Sequence, residues 1–126
     1  MSFQNLLLID DDEDDQEIFL TAAKQLSESV ICSTMFDATE ALRKLDEKTL
    51  TPDVIFLDLN MPAMNGQQFL TKIKSNPQLK DIPIIIFSTS SNHKTVQLMK
   101  DLGAQDFITK PEKFDQLLTI LKPILT

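Results

Sequence analysis

Polar residues stand at the ends of four strand-like segments, and their types could do chemistry together. Asp10 and Asp11 follow Leu6-Leu7-Leu8-Ile9, and Asp58 follows Val54-Ile55-Phe56-Leu57. Ser88 follows Pro83-Ile84-Ile85-Ile86-Phe87, and Lys110 follows Asp106-Phe107-Ile108-Thr109. Carboxylates gathered within a few ångströms repel one another and raise one another's pKa. Such a cluster persists when a function compensates for the repulsion, most simply by holding a hard divalent cation. Mg²⁺, or Mn²⁺ in its place, takes oxygen ligands, and Mg²⁺ usually binds one or two carboxylates together with waters and phosphate oxygens. Lys110 adds a cation able to pair with Asp58 or with an incoming phosphoryl group, and Ser88 adds a hydroxyl donor. The set suits attack on a phosphoryl donor by a carboxylate, with metal and lysine neutralising the charge on the transferring oxygens.

This chemistry depends on elements that bring the four ends to one place. Apolar runs without alternation read as strands buried on both faces, the pattern of a parallel sheet covered by helices. Helical spacing follows each of them. Ile18, Phe19, Ala22, Ala23 and Leu26 recur on one face after an acidic first turn, and Val30 to Met35 is strand-like. Asp37-Ala38-Thr39-Glu40 has capping-box form ahead of Ala38, Ala41, Leu42 and Leu45. Asn65 can cap a helix bearing Phe69, Leu70 and Ile73, which Asn76-Pro77 ends. Val96, Met99 and Leu102 lie on a helix closed by Gly103, and Phe114, Leu117, Leu118, Leu121 and Leu125 line the last one. A strand–helix unit repeated five times predicts an α/β, doubly wound (βα)5 three-layer sandwich with a parallel five-stranded sheet. In such a sheet the crevice beyond the carboxyl ends of the strands is where ligands bind. Asp10, Asp11, Asp58, Ser88 and Lys110 all fall on that edge. Glu13, Asp14 and Asp15 lie past the strand end and read as a solvated acidic helix start.

Length and composition bound the alternatives. The 126 residues suit one domain with one core, and 42% apolar content supports a normal interior. A net charge of -7 makes direct binding to nucleic acid or an anionic membrane a poor prospect. The start, Met1-Ser2-Phe3-Gln4-Asn5, lacks the basic opening of a signal peptide, and no apolar run approaches the ~20 residues of a membrane span. Cys32 is the only cysteine, which excludes an intrachain disulfide and reads as a small hydrophobe in a reducing, cytoplasmic setting. His93 is also solitary and reads as a solvated residue at a helix start.

With these residues in view, the chain resembles the receiver domain of two-component response regulators, of the stand-alone, CheY-like kind. The markers are Leu-Ile-Asp-Asp at 8–11, Asp58 with Met61-Pro62 and Gly66, Ser88, and Lys110-Pro111. The resemblance runs from Leu6 to the last helix. It implies a flavodoxin-like sheet of order 2-1-3-4-5, and a receiver domain over residues 1–126 without an output domain. It implies that Asp58 is the phosphoacceptor. It places Mg²⁺ on Asp10, Asp11, Asp58 and the backbone carbonyl of Asn60, with Asp11 the more direct of the first two. Ser88 becomes the switch hydroxyl, Phe107 the switch aromatic and Lys110 the contact to the phosphoryl group. The Lys110–Pro111 bond is expected to be cis. Asn60 and Ser90 occupy positions that tune the lifetime of the phosphorylated state, and Thr89 could narrow access to Asp58.

The implied function is phosphorelay signalling. A phosphohistidine on a sensor histidine kinase or phosphotransfer protein donates to Asp58, and the face of the fourth helix, fifth strand and fifth helix reports the change to a protein target. No enzyme activity beyond the chain's own phosphorylation and dephosphorylation is expected, and a homodimer stays open. Two other readings compete. One is a haloacid-dehalogenase-like phosphatase using Asp10-Asp11-Asp12, although Asp14 stands where Thr or Val is usual. The other is a receiver-like interaction scaffold.

Overall fold

The computed structural model describes residues 3–90 and 92–126. Met1, Ser2 and Ser91, which belong to the N-terminal and post-strand segments read above, lie outside the described residues. Strands and helices alternate: β1 (Asn5–Ile9), α1 (Glu13–Leu26), β2 (Ile31–Met35), α2 (Ala38–Asp46), β3 (Val54–Leu57), α3 (Gly66–Lys74), β4 (Ile84–Ser88), α4 (His93–Asp101), β5 (Asp106–Thr109) and α5 (Phe114–Leu125). The five strands form one parallel sheet of order β2-β1-β3-β4-β5, the expected doubly wound arrangement.

Alternation along each central strand feeds two apolar layers, because successive side chains point to opposite faces. Leu7, Ile9, Ile55, Leu57, Ile84 and Ile86 pack with residues of α2, α3 and α4, including Ala41, Leu45, Phe69, Ile73 and Met99. Leu6, Leu8, Val54, Phe56, Ile85 and Phe87 pack on the other side with Phe19, Ala22 and Ala23 of α1 and Leu117, Leu121 and Leu125 of α5. Phe19 sits edge-on to both Phe56 and Phe87, with ring centroids at 4.9 and 5.6 Å, a favoured aromatic geometry. Both faces of β1, β3 and β4 are thereby dry, which is why those strands carry unbroken apolar runs. The edge strands are more open, and Ile31 of β2 is exposed.

Helix starts are fixed by side-chain oxygens. Asp12 accepts from the Asp15 N–H to cap α1, and Asn92 accepts from the Thr95 N–H to cap α4. Asn65 and Gln68 form a reciprocal capping box on α3. Asp37 caps α2 by accepting from Thr39 and Glu40 N–H groups, while the Glu40 side chain pairs with Arg43 in place of closing a reciprocal box. Gly103 follows α4 with φ 109°, the left-handed region that glycine enters freely.

Candidate functional site

The carboxyl edge of the sheet is where the strands deliver their polar ends. Asp10 N–H donates to Met35 O at 3.0 Å and Asp58 N–H to Ile9 O at 3.0 Å, so the backbone ladder runs on into both aspartates. Lys110 N–H donates to Ser88 O at 3.0 Å in the same way. The order β2-β1-β3-β4-β5 puts β1 and β3 side by side in the middle, and Asp10 and Asp58 therefore meet. Asp10 is fully buried, Asp58 is 6% exposed and Ser88 is fully buried. Asp11 is exposed. Among the described residues, carboxylate oxygens of Asp10, Asp11 and Asp58 come within 4.8 Å of one another. All three donors are hard oxygens, two of them shielded from water and one facing it. That set fits a small divalent cation that keeps waters on its open side.

Lys110 is the counter-charge. Its Nζ lies 2.8 Å from Asp10 Oδ2, 2.8 Å from Asp15 Oδ2 and 3.7 Å from Asp58 Oδ2. It also lies 5.9 Å from the Phe87 ring centroid, within cation–π range. Burial pulls the Lys110 pKa down, but the hydrogen bonds to Asp10 and Asp15 and the charge of Asp58 outweigh it and hold the ammonium above its ordinary value. Burial pushes the Asp10 carboxyl above its ordinary value, against the hydrogen bond from Lys110. Asp10 uses both oxygens: Oδ1 accepts from Asp12 N–H at 2.9 Å and Oδ2 accepts from Lys110.

Two groups in this network escape the sequence pattern. Asp15, read as part of a solvated helix start, is a direct partner of Lys110, and that expectation is corrected. It is the third residue of α1, one turn past the Asp12 cap, and its spacing carries no signal that separates it from the acidic residues before it. Gln16, only 5% exposed, donates through Nε2 to Asp10 O at 2.8 Å and Met35 O at 3.0 Å. It ties the ends of β1 and β2 together beneath the site.

The remaining positions lie around the rim. Asn60 is exposed, and its side chain donates to Ser90 Oγ at 2.9 Å, linking the loops after β3 and β4. Ser88 Oγ accepts a long hydrogen bond from Ser90 N–H at 3.4 Å. Thr89 is exposed, and Phe107 is half-buried against the α2–α4 core layer. Gly66 has no room for a side chain, since a Cβ there would lie 2.6 Å from Asp58 O and 2.8 Å from Leu59 Cα. The α3 start thus presses directly on the backbone of Asp58. The Lys110–Pro111 bond, expected to be cis, is trans, because no peptide bond among the described residues is cis. A prolyl amide separates its isomers by only ~1 kcal/mol, and the trans chain already carries the Lys110 ammonium onto Asp10 and Asp15.

Cys32 is half-buried, and burial pushes its thiol up to about 11, which keeps it protonated and unreactive. His93 is exposed at the first position of α4. Among the described residues, no helix is long and apolar enough to cross a membrane.

Comparison with known proteins points the same way. Residues 6–122 match the family model described as the response regulator receiver domain. The probable C4-dicarboxylate response regulator of Bacillus subtilis (strain 168) is 31% identical over 120 residues, which cover 93% of this chain and 50% of that protein. A two-component response regulator of Oryza sativa subsp. indica is 30% identical over 124 residues, 98% of this chain and the whole of that protein. The chain thus spans about half the length of some curated relatives and all of others. Among solved structures, the phosphorylated cyanobacterial phytochrome response regulator RcpA superposes with a TM-score of 0.87 at 31% identity, over 97% of this chain and 91% of that one. The Mn²⁺-bound form of response regulator Rcp1 superposes with a TM-score of 0.81 at 27% identity, over 95% of this chain and 90% of that one.

Proposed function

The chain belongs to the response regulator receiver domain family, and on that premise we propose that Asp58 is the residue that takes the phosphoryl group. Receiver domains of two-component systems accept phosphoryl groups from histidine kinases or phosphotransfer proteins. One observation carries the assignment to Asp58. It is the carboxylate at the end of the central strand β3 that stands beside two further carboxylates while keeping the lysine at 3.7 Å, outside hydrogen-bond range.

In the proposed transfer an Asp58 carboxylate oxygen attacks phosphorus. The new P–O bond forms as the P–N bond to the donor histidine breaks, and the imidazole leaves with the electron pair. Asp10, Asp11, Asp58 and the backbone carbonyl of Asn60 would hold Mg²⁺ or Mn²⁺. The ion supplies neutralisation of the charge spread over the transferring oxygens. Lys110 shares that task from the other side. Ser88, already buried at the end of β4, closes on the new acceptor oxygens, and Phe107, only half-buried, has room to move inward. Those two shifts alter the face built from α4, β5 and α5, which a protein target reads. Asn60, Thr89 and Ser90 lie on the loops after β3 and β4, with Asn60 and Ser90 joined by a hydrogen bond of 2.9 Å, and we read them as setting how long the phosphoryl group lasts.

We read residues 1–126 as one receiver domain with no output domain among them, working in the cytoplasm. Its chemistry is confined to its own phosphorylation and dephosphorylation. A hydrolase built on Asp10-Asp11-Asp12 is disfavoured because the family matched is that of receiver domains and the Asp12 carboxylate is used to cap α1. Phosphotransfer profiling against purified, phosphorylated histidine kinases tests the assignment. At least one kinase should pass its label to the chain rapidly and in the presence of Mg²⁺, and none should pass it to Asp58→Asn. Equal labelling of the variant would place the acceptor elsewhere.

A further inference from the structure

The second anchor of Lys110 has no part in the transfer as described. An ammonium carries three donor hydrogens. Lys110 places two carboxylates, Asp10 Oδ2 and Asp15 Oδ2, at 2.8 Å and leaves Asp58 Oδ2 at 3.7 Å, too far for a hydrogen bond. The two anchors differ in how readily they let go. The Asp10 side chain is 1% exposed and would be stranded as a buried charge, whereas that of Asp15 is 37% exposed and returns to water at little cost. The backbone of Asp15 is fixed independently of Lys110, since its N–H donates to the Asp12 cap at 3.0 Å.

We propose that Asp15 is a positioning residue that holds the Lys110 ammonium off Asp58 until the phosphoryl group arrives, when Lys110 exchanges its Asp15 hydrogen bond for one to a phosphoryl oxygen. The inference rests on Asp58 being the phosphoacceptor. A carboxylate oxygen that accepts a hydrogen bond from an ammonium is a weaker nucleophile. Holding the cation at 3.7 Å leaves the Asp58 lone pairs free while its field still stabilises developing charge. After the exchange, the Asp15 charge is uncovered on the first turn of α1. It then faces a cavity of about 300 Å³ whose apolar wall includes Ile18, Phe87, Pro111 and Phe114. The state of Asp58 is thereby written on the α1–α5 side of the molecule as well, by a route separate from Ser88 and Phe107.

Beryllofluoride with Mg²⁺, a stable mimic of the phosphoryl group, tests this on the full chain. In the wild-type complex, the Lys110 ammonium should contact a fluoride and should have left Asp15, read from a crystal structure or from the ¹⁵N resonance of Nζ. A complex that keeps the Lys110–Asp15 bond overturns the proposal, and this readout needs no variant. In Asp15→Ala, beryllofluoride affinity should rise about fivefold, with Asp15→Asn, a weaker acceptor, in between. The gain should survive an increase from about 0.05 to about 0.5 M salt, where repulsion by an exposed charge is screened out. A gain that vanishes in salt, or a loss of affinity, overturns the proposal. Failure of the wild type itself to bind beryllofluoride would instead sink the assignment of Asp58.

Discussion

Lys110 Nζ lies 2.8 Å from Asp10 Oδ2, joining residues 100 positions apart in the chain. The pair joins the end of β1 to the end of β5, with Asp58 Oδ2 3.7 Å from the same ammonium. Both side chains are nearly dry, at 11% and 1% exposure. A buried pair is costly to break from one side, because the partner left behind is an uncompensated charge.

Replacing Lys110 with Ala should therefore destabilise the metal-free protein by about 3 kcal/mol. Urea denaturation in the presence of a chelator measures it. Added Mg²⁺ should recover part of the loss, because a bound cation supplies the missing positive charge and binds only the native state. A loss below about 0.5 kcal/mol would mean that water reaches Asp10 and that the pair is a surface pair in energy.

The pH dependence carries a definite sign. Lys110 is held above its ordinary value of 10.5 in the fold. Its contribution to stability is thus fully present below pH 10.5 and is lost as pH rises through the higher native value. Asp10 is also raised, from 3.8, so its ionisation draws stability down as pH rises from 3.8 through the native value. Chemical denaturation from neutral pH upward in a chelator should show an alkaline decline in the wild type that is absent from Lys110→Met. Matching alkaline slopes in the two proteins would remove Lys110 as its source.

Gly66→Ala isolates the pressure of α3 on the site. The added methyl would meet Asp58 O at 2.6 Å and Leu59 Cα at 2.8 Å. Backbone cannot step aside as a flexible side chain does, and overpacking of this kind costs about 1–3 kcal/mol. The expected outcome is a thermal midpoint several degrees lower and slower phosphorylation by acetyl phosphate, since the loop carrying Asp58 must move. Unchanged stability together with unchanged phosphorylation would show that the contact yields freely.

Asp11 is the exposed member of the carboxylate cluster. Asp11→Ala should weaken Mg²⁺ binding at least tenfold while raising metal-free stability by at most about 0.5 kcal/mol, a repulsion reduced by solvent screening. Calorimetric Mg²⁺ titration and chelated denaturation give the two numbers. Undiminished Mg²⁺ affinity would move the metal away from this cluster.

How far the molecule could be read from its sequence follows from the range of each interaction. Val54 to Leu57 announced itself because a strand dry on both faces needs unbroken apolar residues, and the same holds for Leu6 to Ile9. The parallel sheet and the gathering of Asp10, Asp58, Ser88 and Lys110 at one edge follow from that alternation. The strand order came from family resemblance, since local pattern cannot say which strand lies beside which. Asp15 is not legible in the sequence because its partner is 95 residues away and the five residues before it are all acidic. Gln16 left no mark because a buried glutamine is distinguished only by the carbonyls it meets. The isomer of the Lys110–Pro111 bond is not legible in the sequence because two nearly equal energies are separated by tertiary context.

The central claim is that Asp58 takes one phosphoryl group. Incubation with acetyl phosphate and Mg²⁺, followed by peptide mass spectrometry, tests it most directly. The expected result is a single phosphoryl mass gain on the peptide containing Asp58, labile to hydroxylamine, abolished by a chelator and absent from Asp58→Asn. A mass gain on another residue, or none under conditions where the protein remains folded, would contradict it.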